Sequence, residues 1–183
     1  MKATQQLKDE HEGVRVMLRI LEKICGKLET SGGIDKEHFD GILEFLKVFV
    51  DKCHHGKEEE LLFPALVAVG VPEDGPIAVM LREHDMGRGY VRAMSHSYSA
   101  YVTGDRSSSK DIAQNAHGYI GLLRDHIEKE NNVLFVMADD RLSENKQDEL
   151  FEGFEKIEEE RIGVGKHEEF HGLIKRLSGV YLK

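Results

Sequence analysis

Only three prolines interrupt 183 residues, so long helices are permitted. The two cysteines, Cys25 and Cys53, are too few for a disulfide framework or an iron–sulfur cluster. The longest apolar run, Leu61 to Val71, is too short to span a bilayer and carries Pro64. No apolar stretch follows a basic start at the N-terminus, so no signal peptide is read. Basic side chains are outnumbered 25 to 34, for a net charge of −9. That balance argues against nucleic acid and anionic membrane as partners, since both require a basic face. The expectation is a reduced, cytoplasmic protein. With 40% hydrophobic and 32% charged residues the chain is globular rather than disordered. Tryptophan is absent and tyrosine numbers five, whereas histidine numbers ten. Histidine is the commonest metal ligand, and its excess sets the question.

Turn signals divide the chain at Thr30-Ser31-Gly32-Gly33, Gly70–Pro76, Thr103–Ser109 and Ala138-Asp139-Asp140-Arg141, with Ser143 as an N-cap. Between them, apolar residues recur at helical spacing. The first segment gives Val14, Leu18, Leu21, Cys25 and Leu28, and the second Phe39, Ile42, Leu43, Leu46 and Val50. The third gives Ile77, Leu81, Val91 and Tyr98. The fourth gives Ile112, Ala116, Tyr119, Leu122 and Leu123, then Val133, Leu134 and Met137. No segment alternates like a strand. The expected fold is all-α: an up-down-up-down antiparallel four-helix bundle over residues 1–140. Two further stripes, Leu150-Phe151-Phe154-Ile157 and Phe170-Leu173-Ile174-Leu177-Tyr181, flank Gly163-Val164-Gly165. They predict two additional C-terminal helices over 141–183, covering the bundle or forming a homodimer interface.

The first two helices resemble the next two. Glu10-His11-Glu12 with Arg15 matches Glu83-His84-Asp85 with Arg88. His54…Glu58 before Leu62-Phe63 matches His126…Glu130 before Leu134-Phe135, each a His-x-x-x-Glu pair. In an antiparallel hairpin, residues equidistant from the turn share a height. His11 and His54 are equidistant from Ser31-Gly32-Gly33, His84 and His126 from the Thr103–Ser109 turn, and Glu58 and His84 from the Gly70–Pro76 turn. An error of one helical turn would displace a residue by about 5.4 Å. Each His and its Glu also share the apolar face, since residues four apart differ by about 40° around the axis.

Four imidazoles and two carboxylates therefore converge in an apolar core. Burying a lone ionised carboxylate costs several kcal/mol. A nearby Arg offsets one Glu but does not account for four histidines at one height. Divalent metal does, the alternative being a hydrogen-bonded buried polar cluster. If Glu58 and Glu130 each bridge two ions, His11, His54, His84 and His126 complete the protein ligands. That fills eight of about twelve octahedral positions and leaves the rest to a bridging oxygen, water or a small ligand. Mixed imidazole and carboxylate donors suit iron, with manganese and zinc less favoured.

Over residues 5–140 the sequence resembles the hemerythrin-like, His-His-Glu cation-binding family. The resemblance rests on Glu10-His11-Glu12, Cys53-His54-His55-Gly56-Lys57-Glu58-Glu59, Leu62-Phe63-Pro64, Glu83-His84-Asp85 and His126-Ile127-Glu128-Lys129-Glu130 with Leu134-Phe135. It implies a four-helix bundle around a non-haem, oxo- or hydroxo-bridged pair of iron ions. The ferritin-like Glu-x-x-His pattern does not fit. Oxygen-carrying hemerythrins place two histidines four apart on the third helix, but the positions flanking His84 at that spacing are Met80 and Arg88. The fifth histidine is thus missing, which leaves positions on both ions open unless Glu59, His55 or a tyrosine fills one.

His55, about 100° from His54, is read as an interface or surface residue. His38, His96 and His117 are read as structural or exposed, and His167 and His171 as an i, i+4 pair without further donors. Arg15 and Arg88 are read as partners of nearby carboxylates or as surface residues. The resulting expectation is a protein that binds or senses O2, NO or redox state. The alternatives are a di-iron peroxidase or nitric oxide reductase fed by an external redox partner, an iron-homeostasis protein, and a metal-free interaction bundle.

Overall fold

The computed structural model describes residues 3–30 and 33–183, and among them there is no strand. Ser31 and Gly32, half of the first expected turn, lie outside the described residues. Helix α1 is Ala3–Glu29. Helix α2 runs over residues 36–68, α3 over 73–102 and α4 over 109–141. Helices α5 (Glu144–Arg161) and α6 (Lys166–Tyr181) follow. Asp35 caps α2 by accepting from the His38 amide at 3.0 Å, and Ser143 caps α5 by accepting from Lys146 at 3.3 Å. The link between α5 and α6 turns on Gly163 and Gly165, whose φ angles of 86° and 84° exclude most side chains.

Three of the expected details differ. Residues 138–141 are the last turn of α4, and the chain breaks at Leu142-Ser143 instead. Asp and Arg tolerate a helix end, and Asp139 serves as an anchor, accepting from Thr4 on α1 at 2.7 Å and from Gln147 on α5 at 3.2 Å. Leu81 is exposed, because the inward stripe of α3 is Ile77, Met80, His84, Gly87, Val91, Met94 and Tyr98. Val133 is half exposed, in a widened turn, while Leu134 beside it is buried as expected.

Widened, π-type turns recur in the long helices, at Phe45–His55 and Glu58–Leu62 in α2 and at Glu130–Leu134 in α4, while α3 opens on a kink at Gly75. Such turns concentrate at functional sites, since the altered register re-aims side chains. Both His-x-x-x-Glu pairs end at the first residue of one.

The bundle core falls into two apolar clusters. One contains Val14, Leu18, Val50, Val91, Met94 and Ile127, and the other Leu7, Leu62, Met80, Leu134 and Phe135. The predicted ligand residues lie between them on α1, α2, α3 and α4, as a polar layer. Helices α5 and α6 pack on the α1–α2 side of the bundle. Phe170, Leu173 and Leu177 join the first cluster, and Leu150 and Phe154 the second, so both C-terminal stripes are buried within the chain. No described helix is long and apolar enough to cross a membrane.

Candidate metal centre

His11, His54, Glu58, His84, His126 and Glu130 meet in the polar layer, each no more than 2% exposed. His11 and His54 approach Nε2 to Nε2 at 2.9 Å, and His84 and His126 at 3.1 Å. The Nδ1 atoms settle what these contacts are. His54 donates through Nδ1 to Glu10 at 2.7 Å, His84 to Glu59 at 2.6 Å, His126 to Glu83 at 2.9 Å, and His11 to the Asn131 side-chain oxygen at 2.9 Å. A carboxylate or amide oxygen only accepts, so a proton sits on each Nδ1, and a neutral ring then presents a lone pair at Nε2. Facing lone pairs repel unless a cation lies between them. Two imidazoles bound at right angles to one ion at about 2.1 Å stand about 3.0 Å apart, the spacing seen in both pairs.

The carboxylates complete the pattern. Glu58 turns Oε1 toward His54 at 3.7 Å and Oε2 toward His84 at 3.5 Å. Glu130 turns Oε2 toward His11 at 3.2 Å and Oε1 toward His126 at 3.3 Å. Each carboxylate thus divides its oxygens between the two histidine pairs, and none of the four oxygens has a hydrogen-bond partner. Burial, then the charge of Glu130, pushes the Glu58 carboxyl well above the ordinary range. Two divalent ions would remove that repulsion. Burial also lowers two of the imidazoles, His54 to about 4 and His126 below the usual range, which keeps those two neutral and free to ligate.

The partners behind the ligands obey the internal repeat. The residue before each α1 or α3 histidine, Glu10 or Glu83, holds the histidine of the next helix. The residue after each carboxylate, Asn131 or Glu59, holds the histidine of α1 or α3. A lysine three after each α2 or α4 histidine backs the first set: Lys57 donates to Glu10 at 2.5 Å, and Lys129 to Glu83. Burial pushes Glu10 up, but the His54 hydrogen bond and the Lys57 charge outweigh it and hold Glu10 at about 2. Such partners fix ring orientation and raise ligand basicity. Their identity was not evident from the sequence, because each reaches to a neighbouring helix.

The remaining polar residues sort clearly. Arg88 donates to Glu59 at 2.6 Å and to Asp51 at 2.7 Å, so it does support the centre. Arg15 pairs with Glu12 and Glu128 on the surface. His38 meets the Tyr181 hydroxyl at 2.9 Å, His117 pairs with Glu29 at 3.0 Å, and His96 is exposed. His55 lies at a helix interface rather than on the surface. It is buried and stacks on His84, with ring centroids 3.8 Å apart. Of the two places expected for it, the structure gives the helix interface, between α2 and α3.

Helix α5 reaches the centre from outside. Its Glu158 accepts from Lys57 at 2.9 Å, and His167 of α6 donates to Glu158 at 2.9 Å. That hydrogen bond raises the His167 pKa above 6.5 despite its partial burial. A raised folded-state pKa gives stability that is complete below pH 6.5 and fades as pH rises through the folded value. His167→Gln is therefore expected to lower stability by less than about 1 kcal/mol at pH 5.5 and by no measurable amount at pH 9, read from urea midpoints.

Comparison with known proteins agrees with this geometry. The chain is 24% identical to the uncharacterized protein Rv1995 of Mycobacterium tuberculosis, over 88% of this chain and 63% of that one. It is 28% identical to the iron-sulfur cluster repair protein YtfE of Escherichia coli, over 70% of this chain and 64% of that one. The chain thus spans a little under two thirds of the curated relatives it matches. No solved structure is matched. The sequence profile of the hemerythrin HHE cation binding domain matches residues 2–138, and the chain belongs to that family.

Proposed function

We propose that the centre holds two iron ions bridged by Glu58 and Glu130, and that through them the chain binds or senses O2, NO or redox state. The observation that carries this reading is the division of two buried, unpartnered carboxylates between two histidine pairs. Imidazole with carboxylate suits iron better than zinc, which favours tetrahedral nitrogen and sulfur sets. When bound, such a pair supplies one-electron redox chemistry and coordination positions open to a small ligand. The protein's own part is to orient and to exclude water. Glu10, Glu59, Glu83 and Asn131 keep each proton on Nδ1 and each Nε2 inward. Phe63 stacks at 5.9 Å on His84 and Phe135 at 5.5 Å on His11, which shields one side of the layer. Cys25 and Cys53 are buried, and burial pushes both thiols up to about 12, so neither offers a thiolate for thiol-peroxidase chemistry.

Anaerobically iron-loaded protein is expected to hold two ions per chain. It is expected to develop the near-ultraviolet charge-transfer bands of a bridged ferric pair on exposure to oxygen. Bands that reverse under argon support carriage or sensing of the ligand. Bands that persist support a redox sensor, or an enzyme of the peroxidase or nitric oxide reductase type. A loaded protein that is indifferent to both gases overturns the reading. A second reading, iron delivery for cluster repair, is favoured by the likeness to the iron-sulfur cluster repair protein of Escherichia coli. It requires that the loaded protein transfer iron to a cluster-free iron–sulfur protein, and retention of all the iron rejects it.

A further inference from the structure

We propose that His167 and His171 form a further metal site, outside the bundle on the C-terminal helices, which takes one borderline divalent cation of the copper, nickel and zinc kind. It is separate from the bundle centre and stands independently of the two-ion reading.

The ring geometry carries it. His167 and His171 stand four apart on α6, so they share one side of the helix. Their Nε2 atoms are 3.2 Å apart. At that spacing, two Nε2–metal bonds of about 2.1 Å enclose an angle of about 100°. The ring centroids are 4.6 Å apart and the planes are tilted by 37°, so the rings spread away from their Nε2 ends rather than stack. His11 and His54 in the bundle centre show the same centroid spacing of 4.6 Å, with Nε2 atoms 2.9 Å apart.

The surroundings of His167 point the same way. Its Nδ1 donates to Glu158 Oε1 at 2.9 Å, so the neutral ring turns the Nε2 lone pair toward His171. A carboxylate behind the imidazole is the usual support of a ligating histidine. Glu158 is itself fixed, because its Oε2 accepts from the buried Lys57 at 2.9 Å. Phe49 of α2 lies against the His167 ring, with centroids 5.4 Å apart. One donor is thus oriented before any ion arrives, and the exposed His171 stands beside it. Among the described residues no carboxylate or thiol joins the pair as a third donor, so water completes the shell and the ion exchanges readily. Two imidazoles with water suit borderline ions, copper(II) most tightly. An ion on Nε2 makes Nδ1–H a stronger donor to Glu158 and so ties α6 to α5. Through Lys57 and Glu10 the same hydrogen-bonded chain continues to His54.

The test titrates copper(II) into the untagged chain at pH 8, where imidazole is neutral, and compares wild type with His171→Gln by metal count and paramagnetic resonance. His171 is exposed, so without copper the variant is expected to keep the urea midpoint of the wild type. The wild type is expected to bind one copper ion that the variant binds more weakly by about tenfold or more. The difference between their spectra is expected to show splitting from two imidazole nitrogens. At copper concentrations between the two affinities, the urea midpoint is expected to rise in the wild type alone. Copper that enters the bundle centre does so in both proteins, so the difference reads the outer pair. His167→Gln is expected to lose the same ion. Equal copper affinity in wild type and His171→Gln overturns the inference, as does a difference spectrum with a single nitrogen or a loss confined to one of the two variants.

Discussion

Glu58→Gln is expected to lower metal content from two ions per chain to one or none and to weaken what remains by on the order of 100-fold or more. Glu58 is the one side chain common to both donor groups, so its loss touches both ions. The same substitution is expected to stabilise the metal-free protein by about 1 kcal/mol at neutral pH. The reason lies in the repulsion that burial and Glu130 impose on the Glu58 carboxyl, which a neutral amide removes. The gain stays small because the amide is itself buried without an evident partner. Opposite signs for metal affinity and apo stability are what distinguish a metal site from a structural polar cluster. In a cluster held by its own hydrogen bonds, the change would cost stability and leave metal content untouched. Elemental analysis of the purified protein and urea titrations with and without chelator measure both quantities. Glu12→Gln, on the exposed face beside His11, is expected to change neither.

The height of the site was legible in the sequence because three turns constrain it independently. His11, His54, Glu58, His84, His126 and Glu130 are placed by chain arithmetic alone, and the structure brings all six into one layer. Chain arithmetic fixes a residue's height, but not what a side chain beside the stripe meets. His55 lies at the end of an eleven-residue widened turn, and Val133 lies within a second. His55 took the interface place of the two expected for it, and Val133, expected in the core, is half exposed. The orienting residues were hidden for a separate reason. Glu10, Glu59, Glu83 and Asn131 are neighbours of ligands in sequence, but each serves a histidine on a different helix. A pairing across helices leaves no local spacing signal. The internal repeat was the signal available, since a residue kept at equivalent places in both halves has an equivalent task. Glu10 and Glu83, with Lys57 and Lys129, meet that description.

Those two lysines give the sharpest comparison of burial at the centre. Lys57→Met is expected to cost about 3 kcal/mol and to weaken metal binding by about tenfold, whereas Lys129→Met is expected to cost less than about 1 kcal/mol. The pairs are equivalent in sequence and each binds the acid behind a ligand histidine. Lys57 is fully buried against Glu10, whereas the Lys129 side chain is 41% exposed beside Glu83. Water can take the place of Lys129, but not of Lys57. Without Lys57, the Glu10 carboxylate stays buried with only the His54 hydrogen bond, or takes up a proton and ceases to polarise that ring. Either outcome would weaken His54 as a metal donor. The difference between the halves comes from α5, which lies over the α1–α2 side and supplies Glu158 as a second partner for Lys57. Urea midpoints of the chelated proteins, with metal titrations of the same samples, separate the two effects. Equal costs for the two substitutions would mean that α5 does not seal this side. A large cost for Lys57 alone would make the C-terminal helices part of what holds the metal, since Glu158 then acts on His54 through Lys57 and Glu10.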